Sequence, residues 1–177
     1  TELTQDYIRK FLIAYYTKKD LEENRSRYKP FMTDGLYTSV VNMENEPVNQ
    51  TYKGYVVDQA FKSADIFIDE KNNTAIATIN YTNTLLKNKG DYKDAQKNVA
   101  SKNTLRLTFT KDGKKFKVNN MSYLIVTDSA NVTDTTNSYG TLESASSSGS
   151  NASASTGTSG SGNATSPTST DSLNSEE

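Results

Sequence analysis

Chemistry near neutral pH needs side chains that exchange protons, hold metals or attack electrophiles, and this chain of 177 residues carries few of them. It has no His and no Cys. That excludes thiolate nucleophiles, disulfides and Cys-ligated zinc. It also removes the usual general base near pH 7 and the commonest metal ligand. A carboxylate and a phenol remain for proton shuttling, and Asp58 and Tyr81 are the candidates if a sheet closes a pocket against helices. The competing expectation is that Tyr81 is core and Asp58 faces water. Asp65, Asp69 and Glu70 gather at the end of a strand and its turn but lack the spacing of a calcium loop. The sequence therefore assigns no catalytic residue, no metal ligand and no cofactor.

Charge is divided along the chain. The first 127 residues hold all 20 basic residues against 15 acidic ones, so they sit near +5. Lys102 and Arg106, with Lys111, Lys114, Lys115 and Lys117 around a hairpin, form the most basic stretch. Lysines on a sheet face and hairpin edge ordinarily keep it soluble. Nucleic-acid binders carry a stronger basic excess with interleaved aromatics, so no direct nucleic-acid contact is expected. The last 50 residues, 128–177, contain no Lys or Arg, and 24 of them are Ser or Thr. So few apolar residues do not offset about 1–2 kcal/mol per residue of backbone ordering, and 128–177 reads as a disordered acidic tail. Asn-x-Ser/Thr triplets at Asn72, Asn80, Asn131, Asn151 and Asn163 are expected by chance in so Asn- and Ser-rich a chain.

The elements that would position these residues follow from periodicity. Leu3–Lys18 repeats its apolar residues at helical spacing, with Thr4 or Thr1 as cap and Asp6 in the first turn. Lys19–Tyr28 reads as a second, charged helix ended by Pro30. Thr33 or Asp34 caps a third, running to about Asn42, and 45–50 is a loop. From Thr51 the period becomes two. Tyr55, Val57, Gln59 and Phe61 alternate, and then Ala64, Ile66 and Ile68 alternate on the other parity, which predicts a β-bulge near Lys62–Ser63. Thr74–Leu86, Val99–Thr110 and Phe116–Val126 are three further strands, the last two joined by a turn at Asp112–Gly113. The last strand also changes parity, across Asn119–Asn120. Short connections imply sequential antiparallel pairing. The fold class is α+β: N-terminal helices packed on a curved four-stranded antiparallel sheet, over residues 1–127.

The opening TQDYIRKFLIAYYTKKDLEENRSRYKPFMTDGLY, the bulged strand GYVVDQAFKSADIFID and the closing hairpin LRLTFTKDGKKFKVNNMSYLIV together resemble the nuclear-transport-factor-like (cystatin-like cone) superfold. Within it, they are similar to the extracytoplasmic domains of VirB-eight-like subunits of Gram-positive type IV secretion (conjugation) systems. The resemblance implies a membrane protein with one anchor upstream of Thr1, and this domain on the extracellular, cell-wall side. It also implies a non-catalytic scaffold that associates with itself, as dimer or trimer, and with other channel subunits. Absence of Cys and a Ser/Thr-rich tail agree with export. Two alternatives belong to other classes: a secreted or wall-associated module holding a small apolar ligand in its cone, and a proton-shuttling enzyme of the same fold.

Self-association needs a surface. At about 100° per residue, Ile13 and Tyr16 miss the main apolar arc of the first helix and lie beside Arg9. Arg9, Ile13 and Tyr16 are therefore the candidate interface, an apolar pair with a cation of the kind that anchors small contacts.

Overall fold

A computed structural model describes residues 2–125. The elements are α1 (Gln5–Tyr16), α2 (Arg25–Tyr28), a 3-10 turn (Lys29–Phe31), α3 (Asp34–Glu44), α4 (Pro47–Gln50), β1 (Val56–Asp69), β2 (Thr74–Leu85), β3 (Gln96–Asp112) and β4 (Lys115–Leu124). The segment 128–177 and the last two residues of the 1–127 domain lie outside the described residues. No helix among the described residues is long and apolar enough to cross a membrane.

Helix α1 starts where Thr4 accepts a hydrogen bond from the Tyr7 amide at 3.1 Å, the expected side-chain cap. It stops at Tyr16, with Thr17 extended. Its last carbonyls would be left without partners. Asn24, buried beneath them, donates to Ala14 and Tyr15 carbonyls at 2.9 Å each. That duty corrects the expected second helix over 19–28: only Arg25–Tyr28 is helical. Upstream, Glu22 takes φ 80°, and Asp20 Oδ1 accepts from the Leu21 and Gly54 amides, so the chain turns instead. Thr33 caps α3 through the Leu36 amide. The expected 45–50 loop contains a further single turn, α4, with Pro47 in its first position, where a missing N–H costs nothing.

The strands form one antiparallel sheet in the order β1-β2-β3-β4. The bulge predicted at Lys62–Ser63 is present, as the β1–β2 register shifts between Phe61 and Ser63. A second shift, between Val57 and Ala60, coincides with Asp58 at φ 50°. The parity change in β4 is also a bulge, since Thr108 pairs with Asn120 and Phe109 with Val118. Gly113, at φ 68°, occupies the first central position of the β3–β4 turn, where positive φ matches the twist of the strands.

One face of the sheet is covered by the helices. Ile8, Phe11, Leu12, Ala77, Ile79, Leu105, Leu107 and Val118 have no exposed surface, and they belong to one continuous core. Phe11 lies 5.8 Å from both the Tyr15 and Phe31 rings.

The two outer strands are covered too. Along β1, Gln5 Nε2 donates to the Ile66 carbonyl at 2.9 Å and Arg9 Nη2 to the Ala64 carbonyl at 3.2 Å. Further along, Lys18 and Gln59 exchange backbone hydrogen bonds of 3.0 and 2.8 Å. On β4, the Thr33 amide donates to the Val118 carbonyl at 3.0 Å, and the Tyr7 hydroxyl donates to the Phe116 carbonyl. Helical side chains and the segments around them thus occupy ladder positions that would otherwise invite another chain.

Candidate functional site

The inner face of the sheet grades from apolar to polar along the strands. On β2 it reads Ala75, Ala77, Ile79, Tyr81, Asn83. On β3, running the other way, Phe109, Leu107 and Leu105 give way to Asn103. The polar end meets the C-terminus of α1. There Asn103 Nδ2 donates to the Tyr16 hydroxyl at 3.1 Å, and Gln59 Nε2 donates to the Tyr16 carbonyl at 3.3 Å. Tyr16 and Tyr81 rings lie 4.9 Å apart. Burial pushes the phenols of Tyr15, Tyr16 and Tyr123 well above the ordinary tyrosine value, because the phenolate would lose its hydration. These hydroxyls hold their protons near neutral pH and serve as fixed hydrogen-bonding groups.

Side chains fill this region. Tyr81 is 3% exposed. Asp58 is exposed at the β1 bulge, where it accepts a 2.7 Å hydrogen bond from the Tyr92 hydroxyl, and that bond pushes the Tyr92 phenol up. The two residues considered for proton shuttling thus end in different surroundings, one in the core and one in water. Hollows of about 200 and 570 Å³ open elsewhere, and neither is lined by Asp58 or Tyr81.

The candidate interface Arg9, Ile13 and Tyr16 does not form one surface. Tyr16 is 2% exposed and belongs to the core. Arg9 is half-buried and spends its guanidinium on Ala64. Ile13 alone is open, at 42%. The correction has a simple cause. The side of α1 carrying Gln5, Arg9 and Tyr16 faces β1, so it is polar where it meets carbonyls and buried where the sheet closes over its end.

Beyond α1, several charged side chains are paired. Arg25 Nε donates to the buried Glu44 carboxylate at 2.8 Å, and the Tyr28 hydroxyl donates to the same oxygen at 3.2 Å. Lys53 pairs with Glu22 at 2.6 Å. The basic stretch is strung out: Lys102 and Arg106 lie on the outer face of β3, about 13 Å apart at strand spacing. Lys111, Lys114 and Lys115 are exposed at the hairpin, and Lys117 lies 3.8 Å from Asp112. Asp65 and Asp69 are similarly spaced on β1. Asp69 is engaged by Asn72, whose side chain donates to it at 2.7 Å, so the acidic trio does not converge on one point.

The outer sheet face holds the feature that charge and motif reading missed. Phe67 is 69% exposed and its cross-strand partner Ile76 is 40% exposed. Ile76 in turn pairs with Arg106. The row Phe67–Ile76–Arg106 crosses three strands and lines the open 570 Å³ hollow. The signal was present: in Ile66-Phe67-Ile68 and Ala75-Ile76-Ala77 an apolar residue sits at the solvent parity of an alternating strand. Asp65 and Asp69 flank Phe67 on the same face. Compared with known protein families and with curated proteins, the chain matches no family model and no curated protein.

Proposed function

We propose that the chain is a non-catalytic scaffold subunit of a conjugative type IV secretion channel, held on the extracellular side of the cell membrane by a single-pass anchor preceding the domain. There it associates with itself and with other channel subunits. The observation that carries this reading is the filled interior. Where a ligand-binding or proton-shuttling relative would need room, Tyr16, Tyr81, Asn103 and Gln59 pack against one another, while apolar surface is left outside, at Phe67 and Ile76. A packed core with an exposed apolar row suits a protein whose work is contact. The type of channel rests on the likeness of the sequence stretches quoted above.

The test is complementation. In a host whose conjugative element carries this gene, deletion is expected to abolish plasmid transfer, and the wild-type gene to restore it. Asp58→Asn and Tyr81→Phe variants are expected to restore it fully as well. Loss of transfer in both variants, at normal protein level, would favour the enzymatic alternative. Normal transfer in the deletion strain would remove the channel assignment altogether.

A further inference from the structure

We propose that the outer face of the sheet is a self-complementary dimer interface, in which the Phe67–Ile76–Arg106 row of one copy lies across the same row of a second copy. This proposal deepens the self-association reading above and rests on it.

The argument begins with what is left open. The ladder positions of β1 that Gln5, Arg9 and Lys18 occupy, and those of β4 that Thr33 and Tyr7 occupy, are not available for strand addition. The sheet face opposite the helices is. It carries an apolar pair, Phe67 and Ile76, where an isolated antiparallel sheet would be polar. Beside the pair, the Thr78 and Thr104 hydroxyls lie 3.3 Å apart across β2 and β3.

The charges then name the occupant. Acid lies on one side of Ile76 and base on the other: Asp65 and Asp69 on β1, Arg106 on β3. Among the described residues neither Asp65 nor Arg106 has a side-chain partner. A second copy related by a two-fold axis that runs along β2 places β3 of each molecule over β1 of the other. Positions along the strands are preserved by that rotation. Each Arg106 then lands over the other copy's Phe67, between Asp65 and Asp69, and the two Ile76 side chains meet on the axis. Sheets packed face to face lie about 10 Å apart, within reach of an arginine and a phenylalanine. Arginine over an aromatic ring gains a cation–π contact, and carboxylates on either side complete a socket for the guanidinium. One contact made twice is the geometry of an isologous dimer. A differently charged partner would satisfy one half of this face and oppose the other.

Symmetry makes the test specific. Sedimentation velocity of the full chain from about 10 to 500 µM is expected to show a monomer–dimer equilibrium. Arg106→Asp alone, and the double variant Asp65→Lys/Asp69→Lys alone, are expected to dimerise at least ten-fold more weakly. An equimolar mixture of the two is expected to dimerise again, since each interface then pairs opposite charges. Phe67→Ser is expected to remain monomeric with an unchanged circular dichroism spectrum. If wild type dimerises and all variants match it, the face is not the interface, although self-association stands. If the single variants are monomeric and their mixture stays so, the strand-over-strand register is wrong. Wild type that remains monomeric throughout overturns both this inference and the self-association on which it rests.

Discussion

Phe11 and Glu23 mark the two extremes of what one residue does here. Phe11 is fully buried between Tyr15 and Phe31. Replacing it with Ala removes a ring and leaves a void that rigid neighbours fill only in part, so chemical denaturation is expected to show a loss of about 3–5 kcal/mol. A loss under about 1 kcal/mol would mean that the core collapses around the gap. Glu23 is largely exposed. Its carboxylate accepts two hydrogen bonds from the Arg27 guanidinium, at 2.7 and 2.8 Å, and one from the Lys19 amide at 2.9 Å. Arg27 first, and the Lys19 amide second, hold its pKa down at about 2. The folded state therefore favours the ionised form. Its contribution is complete above the unfolded-state pKa, about 4.3, and is lost as pH falls toward 2. Solvent screening keeps the contribution near the surface-pair scale of about 0.2–1 kcal/mol. Glu23→Gln is expected to lower the thermal midpoint slightly at pH 7, with the difference from wild type closing as pH falls from about 4.5 to 2. A difference that widens toward acid would reverse the assignment.

Two glycines of opposite character report on the elements that hold them. Gly113 turns the β3–β4 hairpin at φ 68°, and an added Cβ there meets no atom within 4 Å. The cost of Gly113→Ala is thus conformational, about 1–2 kcal/mol. Gly35 lies in the first turn of α3 with equally open surroundings and no such φ, so Gly35→Ala is expected to stabilise by about 0.4–1 kcal/mol. Equal signs in thermal melts of the two variants would contradict the backbone assignments. At this same scale the sequence was readable wherever apolar residues kept time. The Lys62–Ser63 and Asn119 bulges showed as parity changes because apolar residues stand on both sides of each. The bulge at Asp58 left no such trace, since Gln59 is buried for the sake of hydrogen bonds to Tyr16 and Lys18. A helical wheel misplaced Tyr16 for a related reason. It assumes one buried side, whereas α1 meets the helices and core on one side and β1 on another. The expected helix over 19–28 failed because Asn24 was needed as a cap for α1, a long-range duty that no local pattern shows.

At the scale of the whole molecule, charge placement decides which large partners the domain meets. Within residues 1–127 the excess of basic residues over acidic ones invites the thought of DNA. Affinity for a duplex, however, follows the number of phosphates neutralised together, and the basic residues here do not act together. Arg25, Arg27, Lys53 and Lys117 face carboxylates, and Arg9 is spent on a backbone carbonyl. Lys102 and Arg106 share the outer face with Asp65 and Asp69, which lie on its opposite side and repel a phosphate backbone crossing the sheet. The hairpin lysines are left as a small cluster at one end. Binding of the full chain to a labelled 20-base-pair duplex, followed by fluorescence anisotropy at about 150 mM salt, is therefore expected to be weaker than about 100 µM, the lower end of ordinary non-specific affinity. A charge reversal sharpens the test: Asp65→Lys/Asp69→Lys is expected to bind the duplex more tightly, with a steeper salt dependence, because it turns the outer face basic. Micromolar binding by wild type, falling steeply with added salt and abolished by changing Lys111, Lys114 and Lys115 to Glu, would instead make the hairpin a nucleic-acid contact.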